Sequence, residues 1–120
     1  LPSAHAVDRE RGQGMSRGPL HGIPISLKDL IDEAGVVTTA GSKVLRNRIA
    51  SADAPLVTRL RQAGAVIIGR TNLHEFALGT TSEDSAFGAV RNPLDDARSA
   101  SSGVGASMTT RIPCSGNRSM

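Results

Sequence analysis

Aromatic residues are nearly absent from this sequence. Its 120 residues include two phenylalanines, Phe76 and Phe87, and neither tryptophan nor tyrosine. Hydrophobic residues amount to 38%, so side chains large enough to anchor a core are scarce. We expect at most one hydrophobic core, with part of its apolar surface left to be buried by further elements of a larger layered domain.

Cysteine and long apolar runs are equally scarce. Cys114 is the only cysteine, which excludes an internal disulfide framework and a cysteine-rich zinc site and indicates a reducing, cytoplasmic compartment. No apolar run approaches the roughly 20 residues that span a bilayer. A charged start followed by an apolar stretch, the mark of a signal peptide, is also missing, so no membrane partner is expected.

The charge balance is mildly basic but lacks the pattern of a nucleic-acid interface. Lysine and arginine number 14 against 11 acidic residues, for a net charge of +3. The arginines are scattered from Arg9 to Arg118, with no interleaved aromatics on which bases could stack. Phosphate-binding glycine loops are absent, and no second histidine follows His74 at the spacing of a zinc protease. These absences disfavour nucleic-acid, nucleotide and metal binding.

Two apolar segments predict neighbouring parallel strands. Residues 21–27 read HGIPISL and residues 65–69 read AVIIG, and both are rich in branched side chains. Pro24 lacks a ladder donor, so it should lie at the beginning of its strand or on an unpaired side. The continuous apolar run at 65–69 is typical of a strand covered on both faces by helices. Together they indicate a βαβ unit and an α/β fold.

The segment between these strands predicts a short amphipathic helix. Asp53 is a candidate cap, Pro55 falls in the first turn, and Gly64 is placed to end the helix. The apolar residues that occur at helical spacing are Leu56, Leu60 and Ala63.

The remaining chain predicts little regular structure. Residues 1–11 are expected to form a peripheral helix, and the glycine-rich segment 11–19 a linker. Residues 30–42, 79–88 and 91–99 have the composition of loops, with no sustained apolar face.

Lys28 is the first candidate for chemistry. It follows the apolar strand directly, and the carboxyl ends of parallel strands are where α/β folds place their sites. A lysine partly withdrawn from water there could act as a general base, since burial disfavours the charged form. The alternative is a structural lysine held by Asp29 or simply solvated. Residues 98–107, RSASSGVGAS, could likewise bring amides and hydroxyls to a reacting group or serve as a flexible connector.

Taken together, the segments GPLHGIPISLKDLID, TTAGS, DAPLVTRLRQAGAVIIGRTNLHEFALGTTSEDSAFG and RNPLD resemble the amidase-signature family, from about Arg17 to Ser99. The resemblance implies an α/β/α sandwich with a mixed or parallel sheet. Residues 1–99 would be its truncated N-terminal part and residues 100–120 a divergent, disordered tail. It further implies hydrolysis of small-molecule carboxylic amides without a metal or organic cofactor.

The same resemblance implies a Ser, cis-Ser, Lys triad, in which the lysine falls on Lys28. After Ser99 the family usually has PGGSSGGS, whereas this chain has ASSGVGAS. A gapless alignment puts Gly103 at the position of the bridging serine. A two-residue deletion puts Ser101 there, with Ser102 beside it, and both alignments stay open.

The family's nucleophilic serine lies in a Gly-Gly-Ser-Ile-Arg type of segment, and none occurs in MTTRIPCSGNRSM at the end of this sequence. A large deletion would put Thr109 in its place, while a reading-frame slip or a degraded gene copy would leave no nucleophile at all. Three hypotheses remain. They are an amidase, the A-type subunit of an amidotransferase complex that acts on misacylated tRNA, and a non-catalytic remnant.

Overall fold

The computed structural model describes residues 1–92 and 94–99 of the chain. Their regular elements, in order, are α1 (Pro2–Gly12), β1 (Pro24–Lys28), α2 (Pro55–Gln62), β2 (Val66–Thr71), β3 (Arg91–Asn92) and β4 (Asp95–Ser99). Single turns of 3₁₀ helix lie at Lys43–Leu45 and Glu75–Ala77. Strands β1 and β2 pair in parallel with α2 between them in the chain, which confirms the predicted α/β class and βαβ unit. Pro24 begins β1, as its missing N–H requires.

The β1–β2 ladder contains an irregularity that decides which side chains face inward. Ile25 pairs with Ile67, but Ser26 pairs with Gly69, so the register passes over Ile68. An extra residue of this kind re-aims the side chains that follow it. Ile68 is consequently 38% exposed, and the prediction that this strand is covered on both faces is wrong at that residue. Beyond the bulge, Arg70 is buried.

Helix α2 begins one residue later than the sequence indicates. Ala54 is its N-cap residue and makes no side-chain capping bond. The carboxylate of Asp53 instead accepts hydrogen bonds from the Ala34 N–H at 2.7 Å and from Arg61 at 3.1 Å. The prediction of Asp53 as the cap is therefore wrong, because tertiary partners occupy its oxygens. Pro55 does stand in the first turn, as predicted.

The buried side of α2 is also shifted from the predicted one. Val57 is completely buried, whereas Leu56 is half exposed. Both residues stand at helical spacing from Leu60, three or four positions away, so periodicity alone could not choose between them. Gly64 ends the helical segment as predicted, with φ of +88°, and a Cβ there would lie 2.8 Å from the Cα of His21.

The C-terminal part of the described chain holds a hairpin that the sequence did not predict. Residues 91–99 were expected to be loop, yet β3 and β4 pair antiparallel, with Arg91 opposite Ser99. Arg91, Leu94, Asp95, Ala97 and Arg98 are all exposed, so these residues show no alternation of buried and exposed side chains that could have indicated a strand. Helix α1 is confirmed, with Val7 as its buried residue. Among residues 1–92 and 94–99, no helix has the length and apolar character needed to cross a membrane.

Candidate functional site

Lys28 lies at the carboxyl edge of the two-stranded parallel sheet. It is the last residue of β1 and stands opposite Thr71, the last residue of β2. Its neighbours Leu27 and Asp29 are 2% and 0% exposed, whereas Lys28 itself is of intermediate exposure. The edge therefore presents one partly accessible lysine between two buried residues, where open α/β sheets place their ligand sites.

Asp29 has all of its polar groups engaged. Its N–H donates to the Thr71 carbonyl at 3.0 Å and its carbonyl accepts from the Ala40 N–H at 2.8 Å. The carboxylate accepts from the Thr39 N–H at 3.2 Å and from the Thr39 hydroxyl. It also forms an ion pair with Arg70, whose Nε lies 2.9 Å from Oδ1. The residue that follows Lys28 is thus fixed by both its backbone and its side chain.

Arg70 connects three segments of chain from a position that is almost inaccessible to water. Its side chain is 2% exposed. Besides binding Asp29, its Nη2 donates to the Ile31 carbonyl at 2.7 Å and to the Thr38 hydroxyl at 3.2 Å. Such a buried charge is tolerated only when it is paired and hydrogen-bonded. These contacts join β2 to the loop that follows β1.

A row of alternating charges runs outward from this buried pair. Arg70 Nη1 lies 3.6 Å from the carboxylate of Glu33, which in turn lies 2.7 Å from Arg61 on α2. Arg61 also pairs with Asp53 at 3.1 Å. The row links α2 to the ends of β1 and β2, so all three parts of the βαβ unit share one set of ionic contacts.

The loop after β1 approaches the loop after β2 through strained backbone. Ala40 has a φ of 52°, a left-handed conformation that is costly for residues other than glycine. Its carbonyl accepts a hydrogen bond from the N–H of Phe76, which itself has a φ of 52°. A Cβ at Gly41 would lie 2.7 Å from the Leu73 carbonyl oxygen, so only glycine allows this close approach.

The loop after β2 is held by buried polar side chains. Asn72 donates to the Gly88 carbonyl at 2.9 Å and accepts from the Ser85 hydroxyl at 2.7 Å. The ring of His74 bonds the Thr81 carbonyl through Nδ1 at 2.8 Å. His74, considered in the sequence only for a zinc site, therefore has a local structural role.

An exposed ion pair flanks the buried one. Arg48 binds both oxygens of Asp32, at 2.6 and 2.7 Å. Hydrogen bonding from the Arg48 guanidinium, with a smaller contribution from its charge, holds the pKa of Asp32 below its usual 3.8. The same bonds raise the pKa of Arg48. Asp32 is ionised at neutral pH. Its ion pair with Arg48 lies on the exposed side of the loop after β1, whereas Arg70 binds the same loop from its buried side.

The predicted site residues fare differently. Lys28 lies at the strand end where the sequence put it, and Asp29, the suggested partner, directs its carboxylate to Thr39 and Arg70. Ser101 and Ser102, like the alternative positions Gly103 and Thr109, lie outside the described residues.

Sequence reasoning missed Arg70. A weak signal was available, because Arg70 directly follows the apolar run 65–69 and Asp29 follows Lys28 at the end of the neighbouring strand, but neither residue by itself indicates the other. Thr38 and Thr39 belong to the segment 30–42 that the sequence predicts as loop, yet both are buried and bind the Asp29–Arg70 pair.

A family model described as Amidase matches residues 1–113 of this chain. The A-type subunit of glutamyl-tRNA(Gln) amidotransferase from Acidothermus cellulolyticus is 48% identical over 98 residues, which make up 82% of this chain and 19% of that protein. The chain thus spans about a fifth of the length of such relatives.

Solved structures agree with the sequence relatives. One similar structure comes from work on a vestigial protein complex and the evolutionary origins of an s-triazine catabolic enzyme. It superposes with a TM-score of 0.76 at 46% identity, and the match covers 83% of this chain and 22% of that one. Native peptide amidase from Stenotrophomonas maltophilia gives a TM-score of 0.69 at 46% identity, covering 80% and 20%. The α/β fold of the described residues therefore matches part of a larger, previously observed architecture.

Proposed function

The chain belongs to the amidase family, and on that premise we propose that the protein acts on carboxylic amides with Lys28 as the base of a Ser, cis-Ser, Lys triad. The observation that carries the proposal is the geometry of Lys28. It combines partial exposure, a position at the carboxyl edge of parallel strands, and a backbone anchored by Asp29.

In the proposed reaction Lys28 accepts a proton from the bridging serine, which takes one from the nucleophilic serine. The nucleophile's oxygen bonds to the amide carbonyl carbon, the C–N bond breaks, and the departing amine leaves with the relayed proton. Water then attacks the acyl-enzyme, releasing the acid and restoring the serine. Backbone N–H groups stabilise the oxyanion in both steps. No step needs a metal or organic cofactor.

We assign the bridging serine to Ser101, with Ser102 beside it. The family match covers Ser101, Ser102 and Gly103 alike, and we choose Ser101 because only the alignment with a deletion places a hydroxyl at the bridging position. The 120 residues contain no Gly-Gly-Ser sequence, and we assign the nucleophile to none of them.

A second candidate function is that of an amidotransferase subunit. The relative from Acidothermus cellulolyticus is the A-type subunit of a glutamyl-tRNA(Gln) amidotransferase, and similar relatives reach 93% of this chain. In that role the amide would be supplied by a small molecule, the ammonia would pass to misacylated tRNA, and activity would require partner subunits in a cytoplasmic assembly.

Ammonia release from a panel of amides tests the proposal. Purified protein carrying this sequence would be assayed with glutamine, a C-terminal peptide amide and an aliphatic amide, for wild type, Ser101→Ala and Ser102→Ala. Loss of turnover in Ser101→Ala beyond that in Ser102→Ala supports the assignment. Glutamine use that depends on added partner subunits favours the amidotransferase. Absence of release from every amide, with or without partners, would establish a non-catalytic remnant.

A further inference from the structure

We propose that Arg70 is a positioning residue for Lys28, acting through the buried carboxylate of Asp29. The inference rests on the proposed role of Lys28 and adds a residue that touches neither substrate nor reacting atoms. Arg70 stands opposite Leu27 in the ladder, one position before the Lys28–Thr71 pair. Its guanidinium reaches the residue just after the lysine.

The contacts around Lys28 restrain its backbone from both directions. Before it, Leu27 is buried and paired across the sheet. After it, Asp29 makes two backbone hydrogen bonds, to Thr71 and from Ala40, while its carboxylate is held by Arg70 and Thr39. Lys28 can therefore move its ammonium group only by rotating its own side-chain torsions. Its Cα is set by the buried network.

The geometry of Arg70 requires a guanidinium. Its Nε donates to Asp29, while Nη2 donates to both the Ile31 carbonyl and the Thr38 hydroxyl. A planar fork can make bonds in these directions at once, whereas a lysine ammonium is a single point on a flexible stem. Arg70→Lys keeps the charge and loses the fixed orientation of Asp29.

Loosening this anchor should affect catalysis more than binding. Proton transfer from the bridging serine needs Lys28 within hydrogen-bond reach, and a displacement of about 1 Å can cost on the order of 100-fold in rate. The strained loop at Ala40 would be released as well, because its N–H is bonded to the Asp29 carbonyl. We expect a lower kcat with a nearly constant KM.

The test compares Arg70→Lys with two controls in the purified protein carrying the full sequence. Arg48→Lys alters a second arginine–aspartate pair, a bidentate one that lies on the exposed side of the same loop. Val57→Ala destabilises the chain at a fully buried residue of α2 that takes part in none of the contacts described for Asp29 and Arg70. Kinetics of ammonia release are measured below the melting temperature of each variant, beside wild type and Lys28→Met.

We expect Arg70→Lys to lower kcat by roughly 10- to 100-fold with KM changed less than about threefold, and both controls to stay within about twofold of wild type. Hydrogen exchange supplies an independent readout. In Arg70→Lys the amides of Asp29 and Ala40 should lose protection relative to that of Val66, which lies at the other end of the ladder.

The outcomes separate the two proposals. If Lys28→Met abolishes turnover while Arg70→Lys behaves like Arg48→Lys and Val57→Ala, Lys28 remains the base and the positioning role is overturned. If wild type is inactive, or Lys28→Met is as active as wild type, the proposed function fails and no base remains to be positioned. An equal fall in kcat in Val57→Ala would also overturn the role, because stability alone would then explain it.

A milder variant covers the case in which Arg70→Lys does not fold. Thr39→Val removes the hydroxyl that binds Asp29 and accepts the Gly41 N–H at 3.1 Å, with little change in shape. Thr58→Val makes the same change at an exposed position of α2. A fall in kcat confined to Thr39→Val supports the positioning role, and identical kinetics in the two variants count against it.

Discussion

Removing the carboxylate of Asp29 should destabilise the fold far more than removing that of Asp32. Both residues follow β1, and both pair with arginine, but Asp29 is fully buried while the Asp32 side chain is 33% exposed. In Asp29→Ala the Arg70 guanidinium stays buried, with Glu33 at 3.6 Å as its remaining carboxylate neighbour. Leaving one member of a buried ion pair uncompensated costs about 3–5 kcal/mol, a large part of a domain's stability.

Urea unfolding of wild type, Asp29→Ala and Asp32→Ala, followed by circular dichroism, gives the comparison. The free energies of unfolding can be compared directly if the three proteins show the same slope of free energy against urea concentration. We expect Asp32→Ala to lose several-fold less free energy of unfolding than Asp29→Ala, because exposed ion pairs contribute little to stability. Losses of equal size would refute the view that the buried network holds the strand ends together.

Two further predictions concern a turn and a titration. Gly64→Ala should destabilise the chain by roughly 1–3 kcal/mol because of its positive φ and the approach of His21, whereas Gly12→Ala, with no atom within 4 Å of the added Cβ, should be nearly neutral in the same urea assay. Arg48 holds the pKa of Asp32 below 3.8, so the ionised carboxylate stabilises the fold above that value, and this contribution is lost as the pH falls through the lower folded pKa. Thermal melts should therefore show a difference in Tm between wild type and Asp32→Asn that is constant near neutral pH and disappears in acid. A Tm difference that is independent of pH would contradict this.

The local elements of the fold were predictable where backbone chemistry is decisive. Pro24 at a strand start, Pro55 in a first helical turn and Gly64 at a helix end each follow from a missing donor or a positive φ. The continuous apolar run before Arg70 was enough to indicate a buried strand. Lys28 was identified from its place at the end of the preceding strand.

Features that depend on distant partners could not be predicted. Asp29 and Arg70 are 41 positions apart in the chain, and nothing local to either indicates the other. The bulge at Ile68 changes which residues of β2 face inward, although the sequence there is a uniform apolar run. Asp53 has a side chain typical of a helix cap, but its carboxylate accepts hydrogen bonds from Ala34 and Arg61 instead.

The most direct measurement of the central claim is amide hydrolysis by Lys28→Met beside Lys43→Met. Lys43 is the only other lysine of the chain and is exposed in a 3₁₀ turn, so it controls for the loss of one ammonium group. Removing a triad member should lower kcat by on the order of 1,000-fold or more, while Lys43→Met should match wild type. Turnover in Lys28→Met within a fewfold of wild type would contradict the assignment of this lysine as the base.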